Sequence, residues 1–90
     1  MYRSIVHIDV SSDFTKAFRR LPARIQRLAD TKTDWFSANA YDPRLKTHKL
    51  SGQLESRWAF SVNREYRILF RFTDADSVLF DLIGTHAIYR

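Results

Sequence analysis

The hydrophobic period changes once along this 90-residue chain, and that change limits its architecture more than any other feature. Between Phe14 and Phe36 apolar residues recur at helical spacing, whereas from Trp58 onward they alternate. Ninety residues provide one core, so both halves must cover each other's apolar faces in a single domain, residues 1–90. Ser4 to Val10, rich in Ile and Val, reads as an opening strand. Ser11 and Ser12 then offer N-cap oxygens and Asp13 suits a first helical turn. Phe14, Ala17, Phe18 and Leu21 form the buried stripe of that helix. Pro22 separates it from a second helix, Ala23 to Ser37, which buries Ile25, Leu28, Ala29 and Phe36. Asn39 to Pro43 is a loop. Trp58, Phe60 and Val62 face one way, and Tyr66, Ile68, Phe70 and Phe72 follow after the short hairpin Asn63-Arg64-Glu65. Thr73 to Asp76 turns the chain into a last strand, Ser77 to Ile83, which Gly84 ends. The expected class is α+β: an N-terminal strand, a helical hairpin, then a three- to four-stranded antiparallel sheet packed on the helices. The sheet's other face is expected to stay open and to carry Ser61, Arg67 and Arg71.

Composition narrows what such a domain does. The chain has no cysteine, which excludes disulfides and thiolate metal sites and agrees with a reducing cytoplasm. Apolar runs are far shorter than the roughly 18 residues of a membrane span, and no secretory leader is expected. The net charge of +5 is concentrated: residues 44 to 71 hold seven basic side chains (Arg44, Lys46, Lys49, Arg57, Arg64, Arg67, Arg71) against Glu55 and Glu65. A one-sided positive surface attracts polyanions, nucleic acid above all, although an acidic protein suits it as well.

Within that window Arg67 is the sharpest candidate. A cation in a central strand needs an exposed face, an anionic ligand, or a carboxylate such as Glu65 or Asp81. A guanidinium holds phosphate bidentately and keeps its charge. Histidine is the side chain suited to proton transfer near neutral pH, so His48 and His86 near one phosphate fit a general base and a general acid. RNA cleavage needs a base for the 2′-hydroxyl, an acid for the leaving 5′-oxygen and a cation for the phosphoryl oxygens, and no metal or cofactor. Tyr89 suits stacking on a base or packing on the sheet. Arg44, Lys46, Lys49, Arg57 and Arg71 suit backbone phosphates. His7, inside the first strand, receives no role. No P-loop, dinucleotide fingerprint or zinc spacing is present.

Taken together, Asp42-Pro43-Arg44-Leu45-Lys46-Thr47-His48-Lys49-Leu50-Ser51-Gly52, Trp58-Ala59-Phe60-Ser61-Val62-Asn63, Tyr66-Arg67-Ile68-Leu69-Phe70 and Gly84-Thr85-His86 resemble the RelE/ParE superfamily of bacterial toxins. The likeness is greatest to the RelE, YoeB and YafQ branch and covers nearly the whole chain. It implies the toxin of a type II toxin–antitoxin pair, a ribosome-dependent endoribonuclease that cleaves mRNA in the A site without a metal. It assigns scissile-phosphate binding to Arg67 and proton transfer to His48 and His86, with Glu65 as an alternative base and Tyr89 near the terminal aromatic. Ser61 stands where YafQ-like toxins carry a further catalytic histidine, and Ala87 where an acidic residue often follows.

The implied partners are a cognate antitoxin, the ribosome and mRNA, with operator DNA reached only through the antitoxin and no membrane. A ParE-type toxin that binds DNA gyrase without catalysis is the alternative, though that branch needs no set like His48, Arg67 and His86. A degenerate toxin acting only as co-repressor with its antitoxin is a third reading, for which the basic patch would suffice.

Overall fold

A computed structural model of the chain describes residues 1–52 and 56–89, with Tyr89 through its backbone alone. The elements are β1 (His7–Val10), α1 (Ser12–Arg19), α2 (Ala23–Ala38), β2 (His48–Lys49), β3 (Trp58–Ser61), β4 (Arg67–Asp74) and β5 (Ser77–Gly84). Short 3-10 turns occur at Pro43–Leu45 and His86–Tyr89. The α+β class and the order of helices before sheet follow the sequence reading.

The sheet is larger than expected, with five strands in the order β1-β5-β4-β3-β2. Strands β2 to β5 form the antiparallel meander, while β1 lies parallel to β5 and makes the sheet mixed. The helical hairpin carries the chain from the β1 edge to the far edge. The meander then works back until β5 meets β1, so the first and last strands pair. The turn into β5 is also tighter than the sequence indicates: β4 continues through Thr73 and Asp74, leaving only Ala75 and Asp76 between the strands.

Local chemistry sets the helix ends. Ser11 caps α1 by accepting the Phe14 amide at 2.9 Å, and its hydroxyl donates to the Asp81 carbonyl at 2.7 Å. One serine therefore starts the helix and ties it to β5. At the other end of the hairpin, Asn39 Oδ1 accepts the amides of Arg3 and Tyr41, both at 3.0 Å.

The core lies between the helices and one face of the sheet. Phe36, fully buried on α2, stacks on Phe60 at 4.5 Å and meets Phe70 and Phe80 edge-on at 4.9 and 5.7 Å. Ile25, Ala29, Ile68, Val78 and Ile83 complete it. Each fully buried side chain of this size contributes about 1.5–3 kcal/mol. Leu28 and Trp35 are only half-buried, at its margin.

The second face is not open along its whole length, contrary to expectation. Ala59 and Leu69 are buried there, and Ile88 of the C-terminal turn joins Leu69 and Leu82 around a hollow of about 300 Å³. A bulge makes this possible: the register passes from Leu69↔Leu82 to Phe70↔Phe80, leaving Asp81 as the extra residue. Phe80 and Ile83 both reach the core while Asp81 and Leu82 both serve the other face. Among the described residues no helix is long and apolar enough to cross a membrane.

Candidate functional site

Antiparallel register aligns Ser61 on β3, Arg67 on β4 and Gly84 on β5 in one row across the sheet. Ala59 and Ser61 share a face, so His48, paired with Ala59, lies on the same face as Arg67, at the sheet edge. His86 follows Gly84 by two residues and is exposed on the C-terminal 3-10 turn. Register thus places Arg67 and His48 on one face of the sheet, while His86 sits on the turn that follows β5.

The hairpin that precedes Arg67 holds its guanidinium. Asn63 Oδ1 accepts the amides of Glu65 at 2.9 Å and Tyr66 at 2.7 Å, which closes the turn. Three turn carbonyls then converge on Arg67 Nη1: Asn63 at 2.7 Å, Arg64 at 3.1 Å and Tyr66 at 3.1 Å. Among the described residues no carboxylate pairs with Arg67, and no protein acceptor takes its Nε or Nη2. A guanidinium with one nitrogen anchored has its remaining donors available to a phosphate. Glu65, the alternative base, is exposed on this same hairpin.

Beside Arg67 is a polar cleft of about 250 Å³, lined by Ser61, Asn63 and the cationic side chains of Lys32, Arg44, Lys46, Arg64 and Arg67. Among the described residues no carboxylate lines it. Trp35 organises the rim from below, with Arg44 over its ring at 3.7 Å and Lys32 at 4.4 Å from the centroid. Arg44 is further fixed by Asp42, whose carboxylate accepts from Arg44 Nη2 at 2.7 Å, Nε at 3.0 Å and the backbone amide at 2.9 Å. The Arg44 side-chain bonds, followed by its amide, lower the Asp42 pKa from 3.8 to about 2. The Asp42 contact in turn raises that of Arg44.

Lys46 adopts the left-handed conformation, φ 53°, at the end of the Pro43–Leu45 turn. Its carbonyl lies 2.9 Å from His48 Nδ1. A carbonyl only accepts, so Nδ1 carries the proton and, in the neutral ring, Nε2 is left as the acceptor. That is the tautomer a general base requires.

Other candidates are placed differently. Lys49 pairs with Trp58 and so faces away from Arg67. Arg71 donates to Asp81 through Nε at 3.2 Å and Nη2 at 3.1 Å, and Arg57 Nε reaches the same carboxylate at 3.6 Å. Asp81 thus engages Arg57 and Arg71, not Arg67. The Tyr89 side chain lies outside the described residues. Lys32 and Arg64 line the cleft without having been singled out from the sequence. Their signals were a lysine three residues before a half-buried tryptophan on α2, and an arginine at a hairpin tip.

No family model matches the sequence, and no curated protein is similar to it. Solved structures do match. A YoeB/ParE toxin from Agrobacterium tumefaciens superposes with a TM-score of 0.76 at 13% identity, over 90% of this chain and 99% of that one. The toxin–antitoxin complex RelBE2 from Mycobacterium tuberculosis gives 0.75 at 17%, over 93% and 94%. The Escherichia coli DinJ–YafQ toxin–antitoxin complex gives 0.72 at 20%, over 98% and 97%. At such identities the match is one of architecture, over at least 90% of the chain: it has the fold of these toxin structures.

Proposed function

We propose that this protein is the toxin of a type II toxin–antitoxin pair, an endoribonuclease that cleaves mRNA in the ribosomal A site by acid–base chemistry. The observation that carries the reading is Arg67, held by three hairpin carbonyls at a cleft that, among the described residues, is lined by five cationic side chains and no carboxylate. Such a cleft attracts a phosphodiester and stabilises the charge that builds on its phosphoryl oxygens. Its shared fold with the YoeB/ParE, RelBE2 and YafQ proteins supports the same reading.

In this mechanism His48 Nε2 takes the proton of the 2′-hydroxyl. The 2′-oxygen bonds to phosphorus as the bond to the 5′-oxygen breaks, and His86 delivers a proton to that leaving oxygen. Glu65 is the alternative base. Arg67 bears the phosphoryl charge, while Arg44, Lys46, Arg64 and Lys32 hold the flanking backbone. A cognate antitoxin with an acidic segment would cover the cleft and silence it in the cytoplasm. The test is translation in a purified system with mapping of mRNA 5′ ends. Arg67→Ala should reduce A-site cleavage by roughly 10²–10³, as removal of one transition-state charge donor does, and His48→Gln and His86→Gln by roughly 10²–10⁴. Intact mRNA with blocked gyrase supercoiling would overturn the proposal.

A further inference from the structure

Among the described residues no strand pairs with the outer edge of β1. His7 and Ser11 donate their amides inward, to the Asp76 and Phe80 carbonyls at 3.2 and 3.0 Å. Strand alternation then turns the Ile8 and Val10 amides outward. On the core side of this edge an apolar groove of about 310 Å³ runs between Ile8 and Val10 of β1, Phe14 and Phe18 of α1, and Ala29 of α2. Val6 and Val10 remain 66% and 50% exposed beside it. An unpaired edge with an apolar groove under it is a surface that a further strand completes.

We propose that this strand is β1 of a second copy, paired antiparallel with Ile8 opposite Ile8, His7 opposite Asp9 and Val6 opposite Val10. Backbone geometry and charge select that register. Only Ile8 and Val10 present outward amides, so the hydrogen-bonded pairs fall on them. Pairing Ile8 with Val10 would set Asp9 against Asp9 in a close, non-bonded pair, which like charges disfavour. Pairing Val10 with Val10 would carry Ile8 past the strand and against Ser12, the first residue of α1. With Ile8 on Ile8, the close pair is His7 with Asp9. An imidazole N–H donates to the carboxylate in either protonation state, twice by symmetry. The Val6 amide is already bonded to Asp76 at 2.8 Å, and its carbonyl accepts from Val10 of the other copy. Directly paired residues share a face, so the second copy's Val6, Ile8 and Val10 lie along the open side of the groove. The edge is self-complementary in charge, in hydrogen bonding and in apolar pattern, as a two-fold interface must be.

The test is sedimentation equilibrium of the isolated chain over rising concentration, with amide hydrogen exchange followed at Ile8 and Val10. Wild type should pass from one-chain to two-chain mass, and the two amides should gain protection over the same range. Asp9→Lys removes the carboxylate acceptor from both symmetric pairs and should weaken the dimer roughly tenfold. His7→Asp combined with Asp9→Lys restores an opposed pair and should restore the dimer. One-chain mass at every concentration, as expected if the edge takes a strand from a different protein, overturns the proposal. So does a dimer whose constant Asp9→Lys leaves unchanged. Mass and amide protection are read without RNA, so either result is independent of the nuclease reading.

Discussion

Asp81 is the point at which removing one side chain should cost the sheet most per atom. Its side chain is 13% exposed and serves two cations, Arg71 through a bidentate contact at 3.1 and 3.2 Å and Arg57 at 3.6 Å. In Asp81→Ala both guanidinium groups remain, 40% and 32% exposed, and Arg57 Nε is already buried without a hydrogen-bond acceptor among the described residues. Breaking a buried pair by deleting one partner costs about 3–5 kcal/mol, because the other charge is stranded. An exposed pair is worth at most about 1 kcal/mol. Partial exposure of both arginines lets water recover some of the loss, so the expected cost is about 2–3 kcal/mol. For a domain of this size that corresponds to a fall in Tm of about 10–20 °C.

The partners should follow in graded order. Arg71→Ala removes the bidentate contact but leaves Asp81 with Arg57, for about 1–2 kcal/mol. Arg57→Ala loses a longer contact and relieves a buried nitrogen, for about 0.5 kcal/mol or less. Urea denaturation followed by circular dichroism gives all three values, provided the m value is unchanged. An Asp81→Ala cost below about 1 kcal/mol, or an Arg57→Ala cost equal to it, would refute the assignment of Asp81 as the shared counter-charge.

Three further outcomes are expected. Asp42 has a folded pKa of about 2 against an ordinary 3.8, so its contribution is complete above the unfolded value and is lost as pH falls from about 4 to about 2. Asp42→Asn should flatten that acid limb in denaturation curves taken across it. Gly84→Ala places a Cβ 2.5 Å from Ile88 Cγ2, so the C-terminal turn bearing His86 must shift. The stability loss should be about 1 kcal/mol, with amide chemical-shift changes concentrated in residues 85–89 and a larger fractional loss of cleavage. Phe36→Ala removes the ring stacked against Phe60 and edge-on to Phe70 and Phe80, and should cost about 3–5 kcal/mol by urea midpoint.

Elements with a sustained period were readable from the chain. The cap at Ser11, the break at Pro22, the buried stripe of α2 and the alternation of β3 and β4 each follow from local spacing. The parallel pairing of β1 was not readable, because it depends on which edge the meander reaches last. Strand β2, at His48–Lys49, is too short to carry a period. The bulge at Asp81 breaks alternation at one residue, and through it Asp81 comes to face Arg57 and Arg71 instead of Arg67. Arg67 and His48 were legible as site candidates because a charge inside a strand and a histidine between lysines are conspicuous. Lys32 was not: a lysine on the polar side of a helix looks solvated until the fold brings Trp35 and Arg44 beside it.

The basic excess of residues 44–71 is therefore divided by structure. Arg44, Arg57 and Arg71 meet carboxylates, and Lys49 lies on the other face, while Lys46, Arg64 and Arg67 remain at the cleft with no carboxylate partner among the described residues. Two kinds of anchor produce this division. Asp81 fixes the arginines it binds and cancels charge in doing so. The carbonyls of Asn63, Arg64 and Tyr66 fix Arg67 with neutral dipoles, which restrict the guanidinium without subtracting from its charge. A cation meant to meet an anion in a partly desolvated cleft needs the second kind, since a carboxylate neighbour would compete with the ligand. Lysine at position 67 would keep the charge but lose the fork that satisfies the hairpin and the ligand together. The hairpin sequence Asn63-Arg64-Glu65-Tyr66 thus belongs to the site as much as Arg67 does, because its turn aims the carbonyls.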